Sequence, residues 1–156
     1  MDSLPPPDPA LALVALSTRV ERELARLAGV GTSYTEIVGG WAKIGAMLDH
    51  LLRATFVQLC AQVGAPPQAT FAQLTREGWD LERASAGQLL RAVQALAPRV
   101  GALPPTTGRL VQQLGAPTIA HTIALRNELV HARRDPTREE LGAVLRALRA
   151  WVAGLC

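Results

Sequence analysis

The sequence predicts an all-α protein. Hydrophobic residues recur at spacings of three and four in four or five separate stretches and almost nowhere alternate with period two. Capping signals stand at the starts of several of these stretches, and glycine or proline follows their ends. The expected architecture is an up-and-down bundle of four to five helices, built by residues 9–156 as a single domain behind a flexible proline-rich segment, 1–8.

The first helix is expected over Pro9 to Ala28, with Asp8 as N-cap and Pro9 at the first helical position. Leu13, Leu16, Val20, Leu24 and Leu27 form its apolar face, and Gly29 ends it. Ser33 and Glu36 have capping-box spacing and open a second helix that runs through Trp41, Ile44, Leu48, Leu51, Leu52 and Leu59 to about Val63. Gly39-Gly40 interrupts it, at about 1 kcal/mol each relative to alanine, and marks a bend or a close helix crossing. From Gly64 to Arg83 the pattern dissolves. Phe71, Leu74, Trp79 and Leu81 are expected to pack there, around a short helix near Ala69–Arg76.

Ser85 to about Val100 reads as a third main helix, with Leu89, Leu90, Val93, Leu96 and Val100 as its apolar residues. Gly101 to Gly115 reads as a connection with one turn near Leu110. The fourth main helix begins near Pro117 and is stopped by Asp135-Pro136. Thr137 and Glu140 make a second capping box for the last helix, whose stripe is Leu141, Val144, Leu145, Leu148, Trp151, Val152 and Leu155.

A chain of 156 residues buries enough surface to hold a core without disulfides or metal. Its two cysteines, Cys60 in an apolar run and Cys156 at the last position, form no framework and suit a reducing compartment. No signal peptide or membrane span is legible, so a cytoplasmic protein is expected. The net charge of +3 is mild and the arginines are spread over all the helices, which permits nucleic acid as a partner without demanding it. His50 and His121 lack a ligand partner at helical spacing, and no glycine-rich phosphate loop follows a strand; neither a metal site nor a cofactor is expected.

Chemistry concentrates in the fourth main helix. Asn127, the only asparagine, stands in Arg126-Asn127-Glu128-Leu129-Val130-His131, directly after the apolar run Ile119–Leu125. Asn127 and His131 lie one turn apart on one face, with Arg126 on its flank. Leu125 and Leu129 fall on another side. Ile123 and Ile119 continue the Asn127–His131 stripe upward, so this helix is apolar on more than one side; one side is expected to meet the core and the Asn127–His131 side a second subunit.

This hexapeptide, on the penultimate helix of an all-α chain and followed by a turn and an amphipathic last helix, resembles the HEPN superfamily, whose signature is an arginine, usually a polar residue next, and a histidine four to six positions beyond the arginine. Arg126, Asn127 and His131 match that signature. Ser85-Ala86-Gly87-Gln88-Leu89 is similar to a helix start found in some members, from which Ala86 departs.

The resemblance implies a metal-independent endoribonuclease that works as a homodimer through the helix carrying Arg126–His131, in a toxin or antiviral defence role. It implies that His131 moves a proton at the 2′-hydroxyl or the leaving 5′-oxygen, Arg126 holds the scissile phosphate, and Asn127 orients His131 or a phosphate oxygen. Arg133 and Arg134 extend the candidate phosphate surface, or else complement the helix dipole; Trp79, beside Arg76 and Arg83, is the candidate base-stacking contact. The alternative from a different class is a non-catalytic dimerisation or adaptor protein that binds a partner such as a nucleotidyltransferase or antitoxin. An inactive dimeric remnant is a third possibility.

Overall fold

A computed structural model describes residues 8–75, 80–131 and 134–155. Among these residues the chain is all-helical, without a strand: α1 (Pro9–Ala28), α2 (Tyr34–Val63), α3 (Pro67–Thr75), α4 (Ala86–Leu96), α5 (Pro105–Gln113), α6 (Pro117–Val130) and α7 (Arg138–Ala153), with short 3-10 turns at Leu81–Arg83 and Ala97–Arg99. Seven α-helices among the described residues exceed the expected four to five: the short helix expected near Ala69–Arg76 is α3 and begins earlier, at Pro67, and the segment read as a connection with one turn near Leu110 holds α5. In both, the prolines that looked like breakers sit at the start. Pro67 and Pro105 each take the first helical position, where the missing N–H has no intrahelical partner to lose.

The predicted starts and stops have physical counterparts. Thr137 and Glu140 form a reciprocal capping box on α7, and Ser85 forms one with Gln88 on α4. The Glu36 N–H donates to Ser33 Oγ at 3.2 Å at the head of α2. That helix closes at Gly64, whose φ of +67° admits the left-handed conformation. Ala65 N–H then reaches the Cys60 carbonyl at 2.9 Å and Gly64 N–H the Ala61 carbonyl at 3.3 Å, the two bonds of a Schellman motif.

The chain divides into two compact units, and α1 and α2 each contribute residues to both. One unit comprises Met1–Ala12 and Asp49–Leu114. Its buried apolar residues include Leu51, Leu52, Phe56, Leu59, Phe71, Leu89, Val93, Leu96 and Leu110. Phe56 and Phe71 meet edge to face, with ring centroids 5.7 Å apart at 76°. Arg53 on α2 fastens the 3-10 turn, donating through Nε to the Leu81 carbonyl at 3.1 Å and through Nη2 to those of Glu82 and Ala84.

The other unit comprises Leu13–Leu48 and Gly115–Cys156, and it holds α6. Leu13, Leu16 and Val20 of α1, Ile37, Trp41, Ile44 and Leu48 of α2, Ile119, Leu125 and Leu129 of α6, and Leu141, Leu145, Leu148 and Val152 of α7 are all buried. Gly40 marks a close crossing: Glu23 of α1, only 2% exposed, lies against its bare backbone. Among the described residues, no helix is long and apolar enough to cross a membrane.

Candidate functional site on α6

Pro117 opens α6 and a hydrogen bond from His131 N–H to the Asn127 carbonyl, at 3.0 Å, closes it. Leu125 and Leu129 turn into the core, as their side of the helix predicts; Ile119, expected on the stripe facing a second subunit, is buried as well, while Ala120, His121, Ala124 and Val130 are exposed. Val130 keeps 45% of its surface in solvent, so α6 does present apolar residues outside the core of its own unit. Arg126 and Asn127 are half-buried; His131 is exposed at the C-cap.

Arg126 and Asn127 are joined. The guanidinium donates through Nη1 to Asn127 Oδ1 at 3.2 Å. The arginine stem lies against α2 where Gly45 has no side chain: a Cβ there would fall 2.6 Å from Arg126 Nε, 2.9 Å from Cγ and 3.1 Å from Cδ. Gly45 is itself buried. Arg126 Nε is sealed from solvent and finds no acceptor among the described residues. A buried donor left unpaired costs about 1–3 kcal/mol, so this guanidinium is held in place by packing rather than by a full set of hydrogen bonds.

Asn127 therefore spends its carbonyl oxygen on Arg126 and keeps its amide N–H groups as donors. The His131 imidazole has no hydrogen bond among the described residues, and its exposure leaves both ring nitrogens open to a ligand.

Arg134, a candidate phosphate contact or helix-end cation, is engaged with acidic side chains. Its guanidinium bridges two carboxylates, Glu128 at 2.8 Å and Glu140 at 2.7 Å. The hydrogen bond from Arg134 holds the Glu140 carboxyl below the ordinary glutamate range. The bridge ties the end of α6 to the first turn of α7. Tyr34 of α2 holds the residues just ahead of α7, its hydroxyl donating to the Pro136 carbonyl at 3.2 Å. Burial, with Asp135 second, raises the Tyr34 phenol above its ordinary value, so it stays a donor.

Two adjoining hollows of about 340 and 210 Å³ run along α6 and α7 and share His121, Ala143 and Val144. Glu128, Arg134 and Glu140 line the larger. Neither is lined by Arg126, Asn127 or His131. His121 is exposed and lines both. His50 is exposed as well, and among the described residues no group of three or more His, Cys, Asp or Glu side chains is placed to hold a metal ion.

The structure thus brings Arg126 and Asn127 into direct contact and sets His131 one turn on, at the helix end. Trp79 and Arg133, two of the expected substrate contacts, lie outside the described residues. The roles of Gly45 and Tyr34 and the pairing of Arg134 with Glu128 and Glu140 are not among the sequence expectations. Only Gly45 left a signal in the sequence, a third glycine inside an otherwise regular helix. The chain matches no protein-family model, no curated protein and no solved structure.

Proposed function

We propose that this chain is a HEPN-like, metal-independent endoribonuclease that acts as a homodimer through α6, in a toxin or antiviral setting. The observation that carries the reading is the Arg126–Asn127 pair, fixed at the α2–α6 crossing with the exposed His131 one turn beyond. A guanidinium with an unfilled donor set and a free imidazole are the groups that phosphodiester cleavage requires.

In the proposed reaction one His131 takes the proton of a 2′-hydroxyl. The freed oxygen attacks phosphorus, the bond to the 5′-oxygen breaks, and the His131 of the second copy delivers a proton to that leaving oxygen. A 2′,3′-cyclic phosphate and a 5′-hydroxyl result. Arg126 offsets the charge gathering on the non-bridging oxygens, and the Asn127 amide donates to one of them. A single copy supplies one histidine to this site; the exposed Ala120, Ala124 and Val130 on α6 give the second copy an apolar surface to meet.

A non-catalytic adaptor is the second reading. It draws on the quenching of Arg134 by Glu128 and Glu140 and on two hollows that Arg126, Asn127 and His131 do not line. Incubating total RNA with the protein in excess chelator separates the two. Cleavage that is lost in His131→Ala is the expected result. RNA that stays intact with wild type, or is cut equally well by His131→Ala, overturns the nuclease.

A further inference from the structure

We infer that Gly45 is a positioning residue for Arg126, an inference that rests on the endoribonuclease reading. Three glycines punctuate the first half of α2, and they face different surroundings. A methyl group at Gly39 would meet nothing within 4 Å, whereas one at Gly45 would fall inside the Arg126 side chain, at Nε, Cγ and Cδ. The glycine at 45 thus clears the volume through which the arginine passes on its way to Asn127.

The consequence is directional. Arginine is a flexible chain and α2 is a helix of 30 residues, so on adding a Cβ at position 45 it is the arginine that must yield. Its guanidinium would leave the Asn127 carbonyl oxygen, 3.2 Å away, and carry the phosphate-holding group out of register with His131. His131 and Asn127 would remain where α6 puts them. Gly45 touches neither substrate nor reacting atoms in this scheme; it acts through Arg126 alone.

Gly45→Ala tests this with two readouts. The first is hydrogen exchange at the Arg126 Nε–H, followed by NMR, which needs no activity. It should be slow in the wild-type protein, where Nε is sealed, and fast in Gly45→Ala. The second is RNA cleavage. Misplacing a charge-stabilising group by about 1 Å costs on the order of 10²-fold, so kcat should fall by roughly that factor. KM should change little, because many phosphates along the strand contribute to binding. Gly39→Ala adds the same methyl group to the same helix and should match wild type in both.

Fast exchange at Nε in wild type, or unchanged exchange in Gly45→Ala, overturns the inference. So does full cleavage by Gly45→Ala in a protein whose His131→Ala variant is dead, an outcome that leaves the nuclease reading intact. Wild type that cuts no RNA removes that reading instead, and this inference with it. Should Gly45→Ala fail to fold, adding Arg126→Ala removes the obstructing side chain and must restore folding; a double variant that also fails overturns the steric claim.

Discussion

Gly40→Ala probes how α1 and α2 pack. A Cβ built at Gly40 falls 1.8 Å from Glu23 Oε2 and 2.3 Å from its carboxyl carbon, so alanine cannot enter without moving that carboxylate. Glu23 is 2% exposed and has little room to move; its Oε1 pairs with Arg19 at 3.4 Å and Arg26 at 3.6 Å. Forcing an extra methyl group into a filled position costs about 1–3 kcal/mol through displaced rotamers or parted helices. Against this stands the preference of a helix interior for alanine over glycine, about 1 kcal/mol. Gly39 isolates that preference, since a Cβ there has open space.

Gly39→Ala should therefore exceed wild type by about 1 kcal/mol, and Gly40→Ala should lie about 1–3 kcal/mol below Gly39→Ala. Urea denaturation followed by circular dichroism gives both values from the midpoints, provided the slopes agree. Coincident midpoints for the two variants would refute the clash. Adding Glu23→Ala to Gly40→Ala removes the obstructing group, and the pair should show a coupling that neither single change predicts.

Two further outcomes follow from the titrating groups. The Arg134 hydrogen bond lowers the Glu140 carboxyl, so its folded value lies below its unfolded one; the stabilisation is complete above the ordinary glutamate range and vanishes as the pH falls through the folded value. Arg134→Gln should thus be less stable than wild type at neutral pH, with the gap closing on acidification in paired denaturation curves, and a gap that persists into strong acid contradicts the assignment. Burial pushes the Cys60 thiol up to about 11. At about pH 8 only about one molecule in a thousand then carries the reactive thiolate. In a Cys156→Ser background a disulfide reagent should leave the native protein unlabelled and react fully in concentrated guanidinium; prompt native labelling would show that Cys60 is not enclosed.

The helices with one clear face were legible. The stripe expected of the last helix is buried at Leu141, Leu145, Leu148, Trp151, Val152 and Leu155 and half-buried at Val144, and its capping box stands where Thr137 and Glu140 place it. α1 begins at Pro9 and ends at Ala28, as its caps predict. What escaped was of two kinds. Proline read as a breaker conceals a helix start, because the residue that cannot sit inside a helix suits its first position; α3 and α5 were curtailed for that reason. Contacts between elements leave little trace in local spacing. Arg134 reaches Glu128 and Glu140 across a turn, six positions away in each direction, and Tyr34 meets Pro136 over 102 positions. Of the candidate site, the chain order marked Arg126, Asn127 and His131 but not the surface on which Arg126 rests.

That surface also argues for treating Arg126, rather than Glu23, as the working charge. Both side chains lie on glycines of α2, five positions and about 140° apart around the helix. Burial alone does not separate them, for Glu23 is the more enclosed of the two. Satisfaction does. The Glu23 carboxylate has two arginines of its own helix within ion-pair distance of Oε1. Arg126 has one side-chain acceptor and a sealed Nε with none among the described residues. An unsatisfied buried donor opposes folding, and a guanidinium kept half-open beside an asparagine is what the proposed anion contact calls for. If that contact is made, phosphate should protect the Arg126 Nη protons from exchange in wild type and lose that effect in Asn127→Ala, while the surroundings of Glu23 stay indifferent to both.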